Sequence, residues 1–151
     1  MNSRAAKMKY FDDFKYNLIS CYNNFIEIEN YQKLTIGYST SSEIISLLKK
    51  VYDKLAIMKT NSRLVSNSKM LHFLFPTLCM PMDGLNTLTY FYNNSNESIN
   101  KYLEIVEFSF DIINSVDNWE QYLDNNMNSS APKLVDNAII LLVGKSISTN
   151  N

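Results

Sequence analysis

The chain has 151 residues, of which 46% are hydrophobic and 19% are charged, and its formal net charge is −1. This composition excludes a disordered or fibrous protein and a chain that is basic as a whole, and the length predicts one domain over residues 1–151, with a flexible tail at 148–151. No apolar run is long enough to span a membrane, and the first residues lack the apolar stretch of a signal peptide, so we expect a cytoplasmic protein without membrane contacts.

Apolar residues at helical spacing predict a long first helix between Met8 and Phe25. A less regular stretch follows, in which Gly37 is the expected breaker. The capping-box pattern Thr40-Ser41-Ser42-Glu43 predicts the start of the next helix, whose apolar positions continue to Met58.

The middle of the chain predicts a short helix between two less regular segments. Lys59–Asn67 is a polar connection, and Ser68–Phe75 is a short apolar helix that Pro76 closes, because the residue before a proline disfavours helical geometry. A loop containing Pro81 follows. Asp83 is then well placed as the N-cap of another helix.

The last third predicts more helices. Ile99–Ile113 has helical periodicity, and Asp117-Asn118-Trp119-Glu120 resembles a capped helix start. Ser130 is expected to cap the last helix, with Pro132 in its first turn and Gly144 as its end. With three glycines and three prolines in the chain, we therefore expect an all-α fold, an irregular bundle of about seven helices.

Positive charge is concentrated in the middle third of the sequence. Residues 44–82 contain six Lys or Arg residues against one acid, a local charge of +5, whereas residues 83–151 contain three Lys against nine acids, a local charge of −6. The basic group comprises Lys49, Lys50, Lys54, Lys59 and Arg63. It forms either a stripe that contacts phosphates or a solvated helix face, and the sequence leaves both interpretations open.

Lys69 and Asp83 are the residues whose pattern indicates chemistry. Lys69 lies in the first turn of the predicted apolar helix, where the helix dipole disfavours a cation, and partial burial there would favour a neutral, nucleophilic amine. Asp83 follows fourteen residues later at another helix start, after a loop that can fold back. An amine and a carboxylate are the minimal set for Schiff-base chemistry at a sugar carbon.

The segment from Ser68 to Asp83 resembles the core of the helix-hairpin-helix DNA glycosylase superfamily, above all its 8-oxoguanine group. Lys69 matches the Schiff-base lysine of that family, and Pro81 and Asp83 match its Pro-x-Asp motif. The helix Pro132–Lys145 is similar to the end of small bacterial 8-oxoguanine glycosylase-like proteins. The resemblance implies a glycosylase-like helical fold, with glycosylase or lyase activity on damaged bases, including oxidised purines, in double-stranded DNA, and it implies no cofactor or metal.

The family's DNA-gripping hairpin uses glycines, and Val65, Ser66 and Asn67 stand in their place. We therefore expect DNA contacts, if they exist, at a small set of neighbouring residues. These candidate contacts are Ser66, Asn67, Ser68, Arg63 and Lys59. A pocket beside them would include His72 and Pro81.

Each of these residues also has a plain structural interpretation. Lys69 is otherwise a surface lysine or a phosphate contact, Asp83 a helix cap, and His72 a half-buried histidine. Phe73, Phe75, Trp119 and Tyr122 are expected in the core, and Cys21 and Cys79 are expected as reduced, buried thiols. The alternative function is a non-catalytic α-helical module that binds DNA or protein, or a structural homo-oligomer.

Overall fold

The computed structural model of the protein describes residues 7–32, 38–84, 86–124 and 126–148, with the side chains of 38–40 and 145–148 left aside. The described residues form seven α-helices, a short 3-10 turn at Trp119–Tyr122 and one isolated bridge between Met8 and Met58. The helices are α1 (Phe11–Ser20), α2 (Tyr22–Gln32), α3 (Tyr38–Lys54), α4 (Leu64–Leu74), α5 (Asn86–Tyr92), α6 (Ile99–Ser115) and α7 (Ala131–Ser148). The all-α prediction is confirmed for this part of the chain.

The predicted first helix is two helices that meet at Cys21. The Cys21 N–H donates to the Leu18 carbonyl at 3.0 Å, a tightened bond that ends α1, and α2 begins at Tyr22. No residue of α1 is buried, whereas Cys21 and Ile28 are fully buried. The apolar spacing is continuous through the junction, so it could not reveal the break between the two helices.

The start predicted for α3 at Thr40 is wrong, because the helix already begins at Tyr38. The Glu43 carboxylate accepts a hydrogen bond from the Tyr31 hydroxyl of α2 at 2.8 Å. Glu43 therefore lies inside α3 and contributes a contact between α2 and α3. Gly37 lies outside the described residues.

The polar connection predicted at Lys59–Asn67 is also wrong in its second half, because α4 begins at Leu64. The Glu97 carboxylate, from the segment before α6, accepts the Leu64 N–H at 2.9 Å and the Ser62 hydroxyl at 2.7 Å. This distant carboxylate satisfies the first turn of α4, which has no side-chain cap of its own. The helix ends at Leu74, one residue before the predicted end at Phe75, and Pro76 follows the end of the helix as predicted.

The helix starts predicted at Asp83 and Ser130 are confirmed. Asp83 Oδ1 accepts the Asn86 N–H at 2.9 Å, and the Ser130 carbonyl accepts the Leu134 N–H at 2.9 Å. The end predicted at Gly144 is wrong, since α7 continues to Ser148 and no described glycine has a positive φ. Apart from Ser148, the predicted tail lies outside the described residues.

Helices α3 and α6 pack together at the centre of the bundle, with α2 against α3 and with α7 against α5 and α6. Their buried faces form one core that includes Leu48, Val51, Tyr102 and Val106. The loop between α4 and α5 contributes to the same core, because Leu78, Cys79, Met80 and Met82 are buried there. The core therefore holds this loop in a defined position beside α4.

Candidate functional site

The loop of residues 79–84 runs antiparallel to α4 along one of its faces. His72 Nδ1 lies 2.7 Å from the Cys79 carbonyl, and the Ser68 hydroxyl accepts the Met82 N–H at 3.1 Å. A Cβ on Gly84 would lie 3.3 Å from a methyl of Val65, one turn nearer the start of the helix. These three contacts place the beginning of α5 next to the first two turns of α4.

Asp83 is half-buried in this arrangement, and it has a reciprocal cap. Its Oδ1 accepts the Asn86 N–H at 2.9 Å, and its own N–H donates to the Thr87 hydroxyl at 3.2 Å. Thr87 is fully buried. One carboxylate oxygen of Asp83 therefore caps the start of α5.

Lys69 lies in the second turn of α4 and is exposed, so its predicted first-turn position and partial burial are wrong. It lines a groove of about 560 Å³ between α1, α4 and the segment around Met58. The lining residues are Met8, Phe14, Leu18, Ile57, Met58, Ser66, Lys69, Met70, Phe73 and Leu74. Of the two residues predicted to be catalytic, Lys69 lines this groove and Asp83 does not. Helical geometry nevertheless puts Lys69 between the two features, because successive side chains are about 100° apart and Ser68 faces the loop while Phe73 faces the groove.

Phe73 differs most from its prediction. We expected a core residue, but its side chain is 81% exposed at the edge of the groove that Lys69 lines. Phe75 is buried, as predicted, and its ring packs edge-on against Phe25. Apolar spacing could not show that Phe73 is exposed and Phe75 is buried, because both occur in the same apolar stretch. Only tertiary packing decides which of the two rings the core covers.

Two of the candidate DNA contacts lie inside the protein. Asn67 and Ser68 are fully buried, and the Asn67 amide donates to the Leu55 carbonyl at 2.8 Å. Ser66 is half-buried and donates to the Arg63 carbonyl at 3.1 Å. The positions matched to the family's hairpin therefore belong to the first turns of α4, and neither Asn67 nor Ser68 is placed to contact a DNA backbone.

The basic residues are spread over two helices and the segment between them. Lys49, Lys50 and Lys54 are exposed on α3, and Lys54 Nζ donates to the Asn24 side chain at 3.0 Å. Lys59 Nζ lies 3.6 Å from the centre of the Tyr10 ring, and Arg63 is half-buried just before α4. The described contacts are compatible with either interpretation of the basic group.

Of the candidate pocket residues, His72 lies on α4 and Pro81 lies in the loop that packs against it. Pro81 is buried, and His72 is half-buried. Because a carbonyl can only accept, His72 Nδ1 carries the proton and donates to the Cys79 oxygen. Burial lowers the pKa of His72, with Lys133 acting in the same direction, against the opposing effects of the Cys79 hydrogen bond and Asp136.

The neighbouring ion pair on α7 was not singled out from the sequence. Lys133 Nζ lies 2.6 Å from Asp136 Oδ2, and Asp136 is only 4% exposed. Its second oxygen, Oδ1, is buried without a hydrogen-bond partner. The sequence pattern that could have indicated this ion pair is a lysine and an acid three residues apart on an apolar helix, since residues at that spacing lie on one face.

Comparison with known proteins found no matching family model, no matching curated protein and no matching solved structure. Within the described residues, no cluster of three or more His, Cys, Asp or Glu side chains has an arrangement that could hold a metal ion. No described helix combines the length and the apolar character needed to cross a bilayer.

Proposed function

We propose that this protein is a small DNA glycosylase/lyase-like protein, in which Lys69 forms a Schiff base with the sugar of a damaged, oxidised purine nucleotide or of an abasic site. The observation that carries the proposal is the hydrogen bond between Ser68 and Met82 at 3.1 Å. Lys69 and Asp83 are the next residues along the chain from this bonded pair. The bond joins the two chain segments that carry the amine and the carboxylate, and this supports a site to which both segments contribute.

The groove beside Lys69 supports a substrate with an apolar, flat part. Phe73 lies one helical turn after Lys69, and its ring is exposed, so an extruded base has a surface on which to stack. Met70 and Leu74 line the same groove. A nucleotide extruded from the DNA double helix could then bring its sugar next to the Lys69 amine at the edge of the groove.

The chemistry needs few groups. The Lys69 amine would first give up a proton to solvent and then form a bond to C1′ while the bond from C1′ to the base breaks, and the base would leave with the electron pair and take up a proton. Loss of an amine proton and opening of the sugar ring at O4′ would give the imine. At an abasic site, the amine would condense with the C1′ aldehyde and release water.

Asp83 would act through its charge. The sugar becomes positive as the base departs, and a fixed carboxylate nearby stabilises that charge more than a mobile one does. The cap on α5 holds Asp83 in one orientation. Asn at this position would keep a side-chain oxygen for the cap and lose the negative charge. The substitution therefore separates the capping role of Asp83 from its electrostatic role.

The test is reductive trapping. The protein is incubated with duplex oligonucleotides containing 8-oxoguanine or an abasic site, borohydride is added, and covalent adducts are resolved by electrophoresis. We expect an adduct with the wild type, none with Lys69→Gln, and an unchanged amount with the exposed control Lys15→Gln. Asp83→Asn should slow release of the base more than it slows trapping of the abasic aldehyde. An adduct that forms equally in Lys69→Gln would refute the proposal.

One observation favours a second candidate, a non-catalytic α-helical module that binds DNA or protein, or a structural homo-oligomer. The positions matched to the DNA-gripping hairpin lie within α4, and Asn67 and Ser68 are buried. Binding to undamaged duplex that weakens with salt, without any adduct, would favour the DNA module. Sedimentation that depends on protein concentration would favour the oligomer.

A further inference from the structure

A second cavity lies on α5–α7, in the part of the chain that carries the excess of acids. It has a volume of about 320 Å³, and four elements contribute to it: α5, α6, α7 and the 3-10 turn. The lining residues are Tyr90, Phe108, Ile112, Ile113, Val116, Trp119, Tyr122, Leu134, Val135, Ala138, Ile139 and Leu142. We call it the aromatic groove, since its lining includes four aromatic rings and no charged side chain.

The mouth of the aromatic groove is apolar and open to solvent. Its outer residues Tyr90, Phe108, Val116, Tyr122 and Leu142 are between 40% and 56% exposed. The apolar surface continues along α7 to Leu141, which is 65% exposed. Contiguous exposed apolar surface of this kind is typical of interaction sites rather than of ordinary protein surface.

Four acidic residues, which we call the rim, lie next to groove-lining residues along the chain. Glu107, Asp111, Asp117 and Glu120 are all exposed, and each is the chain neighbour of a residue that lines the groove. Of the basic side chains described in this part of the chain, Lys133 is paired with Asp136, and Lys101 donates to Asn94 and Asn96. A partner is therefore attracted to this rim if it carries positive charge beside an apolar face.

We propose that the aromatic groove binds an amphipathic helix of a partner protein, with Lys or Arg residues flanking its apolar face. Helices that dock in grooves insert apolar side chains at positions i, i+3 or i+4, and i+7. The groove itself is at the small end for a metabolite site, and the apolar surface extends beyond it along α7. A helix of the partner covers both the groove and the apolar surface beyond it, and its basic residues then lie against the acidic rim. The inference does not depend on Lys69 or on the proposed DNA chemistry.

Trp119 provides a direct measurement, because it is the only tryptophan of the chain and it lines the groove. The probe is a synthetic helical peptide of about 14 residues, roughly four turns, made of Leu and Lys with Leu at the groove-binding spacing. A peptide with the same residues in scrambled order and a Leu/Glu peptide are the controls. We expect a saturable change in Trp119 emission with the Leu/Lys helix alone, and an affinity that decreases with salt.

Charge reversal tests the rim without disturbing the core. Asp111→Lys combined with Glu120→Lys should weaken binding of the Leu/Lys peptide by about tenfold. Asp12→Lys, at an exposed acid on α1, should leave the affinity unchanged. Circular dichroism verifies that both variants are folded. Equal binding of the scrambled peptide, an affinity unaffected by the rim reversal, or no saturable change at all would each overturn the proposal.

Discussion

The Ser68 hydroxyl accepts the Met82 N–H at 3.1 Å and donates to the Val65 carbonyl at 3.0 Å. One fully buried side chain thus connects the second turn of α4 to the loop that carries Asp83. Ser68 therefore makes one hydrogen bond within α4 and one hydrogen bond to the loop. Without it, the Met82 N–H would be buried with no acceptor, which is costly in a protein interior.

Ser68→Ala is therefore expected to lower the free energy of unfolding by about 1–3 kcal/mol. The matched control is Ser66→Ala, since Ser66 makes the same bond to the carbonyl three residues earlier but has no loop partner among its described contacts. The control should change stability by less than about 0.5 kcal/mol. Urea unfolding of both variants measures the difference, and equal effects would show that the Met82 bond contributes nothing.

Glu97 should stabilise the start of α4 from 33 residues away. Because its carboxylate accepts both the Leu64 N–H and the Ser62 hydroxyl, Glu97→Ala is expected to cost about 1 kcal/mol of stability. Glu107→Ala, an exposed glutamate within α6, is the control and should be nearly neutral. Hydrogen exchange adds a local measurement: the amides of the first turn of α4 should lose protection in Glu97→Ala before the rest of the helix does.

The sequence predicted those features that depend on neighbouring residues. Asp83 and Ser130 as helix starts and Pro76 after the end of α4 follow from local chemistry, and the structure confirms them. The start of α4 at Leu64 could not be predicted, because its cap comes from the distant Glu97. The all-α class followed from the periodicity, which carries no information on the break between α1 and α2 at Cys21.

The candidate site shows the same division. The sequence predicted Lys69 on a short helix and Asp83 at the next helix start, but the hydrogen bond that fixes the loop beside α4 comes from Ser68, which the sequence indicates only as a candidate DNA contact. The exposure of Phe73 and the burial of Asp136 are decided by tertiary packing. Neither the exposure of Phe73 nor the burial of Asp136 follows from residue spacing, because spacing alone does not show which face of a helix packs against the core.

The two cysteines should be unreactive in the folded protein. Cys21 and Cys79 are both fully buried, and burial raises the pKa of the Cys79 thiol to about 12 and also raises the pKa of the Cys21 thiol. Since the thiolate is the reactive form, a disulfide reagent at pH 8 should label neither residue quickly. In denaturant both should react at once. Rapid labelling of one thiol under native conditions would show that its region opens readily.

The pH dependence of stability should contain a contribution from His72, the only histidine of the chain. Burial lowers the pKa of His72 below its ordinary value of 6.5, so the folded protein binds the proton less readily than the unfolded chain. Between the lowered pKa and 6.5, the unfolded state holds more protons. The contribution is therefore complete above pH 6.5 and is lost as the pH falls through the lowered pKa.

His72→Asn isolates this contribution, because the amide nitrogen of Asn stands in for Nδ1 toward the Cys79 carbonyl and does not titrate. We expect the stability difference between wild type and variant to decrease from pH 7.5 to pH 5 in urea unfolding experiments. The ring resonances of the single histidine give the folded pKa directly by NMR. A midpoint at or above 6.5 would mean that the bond to Cys79 and the charge of Asp136 outweigh burial, and the stability difference should then fail to decrease toward acid pH.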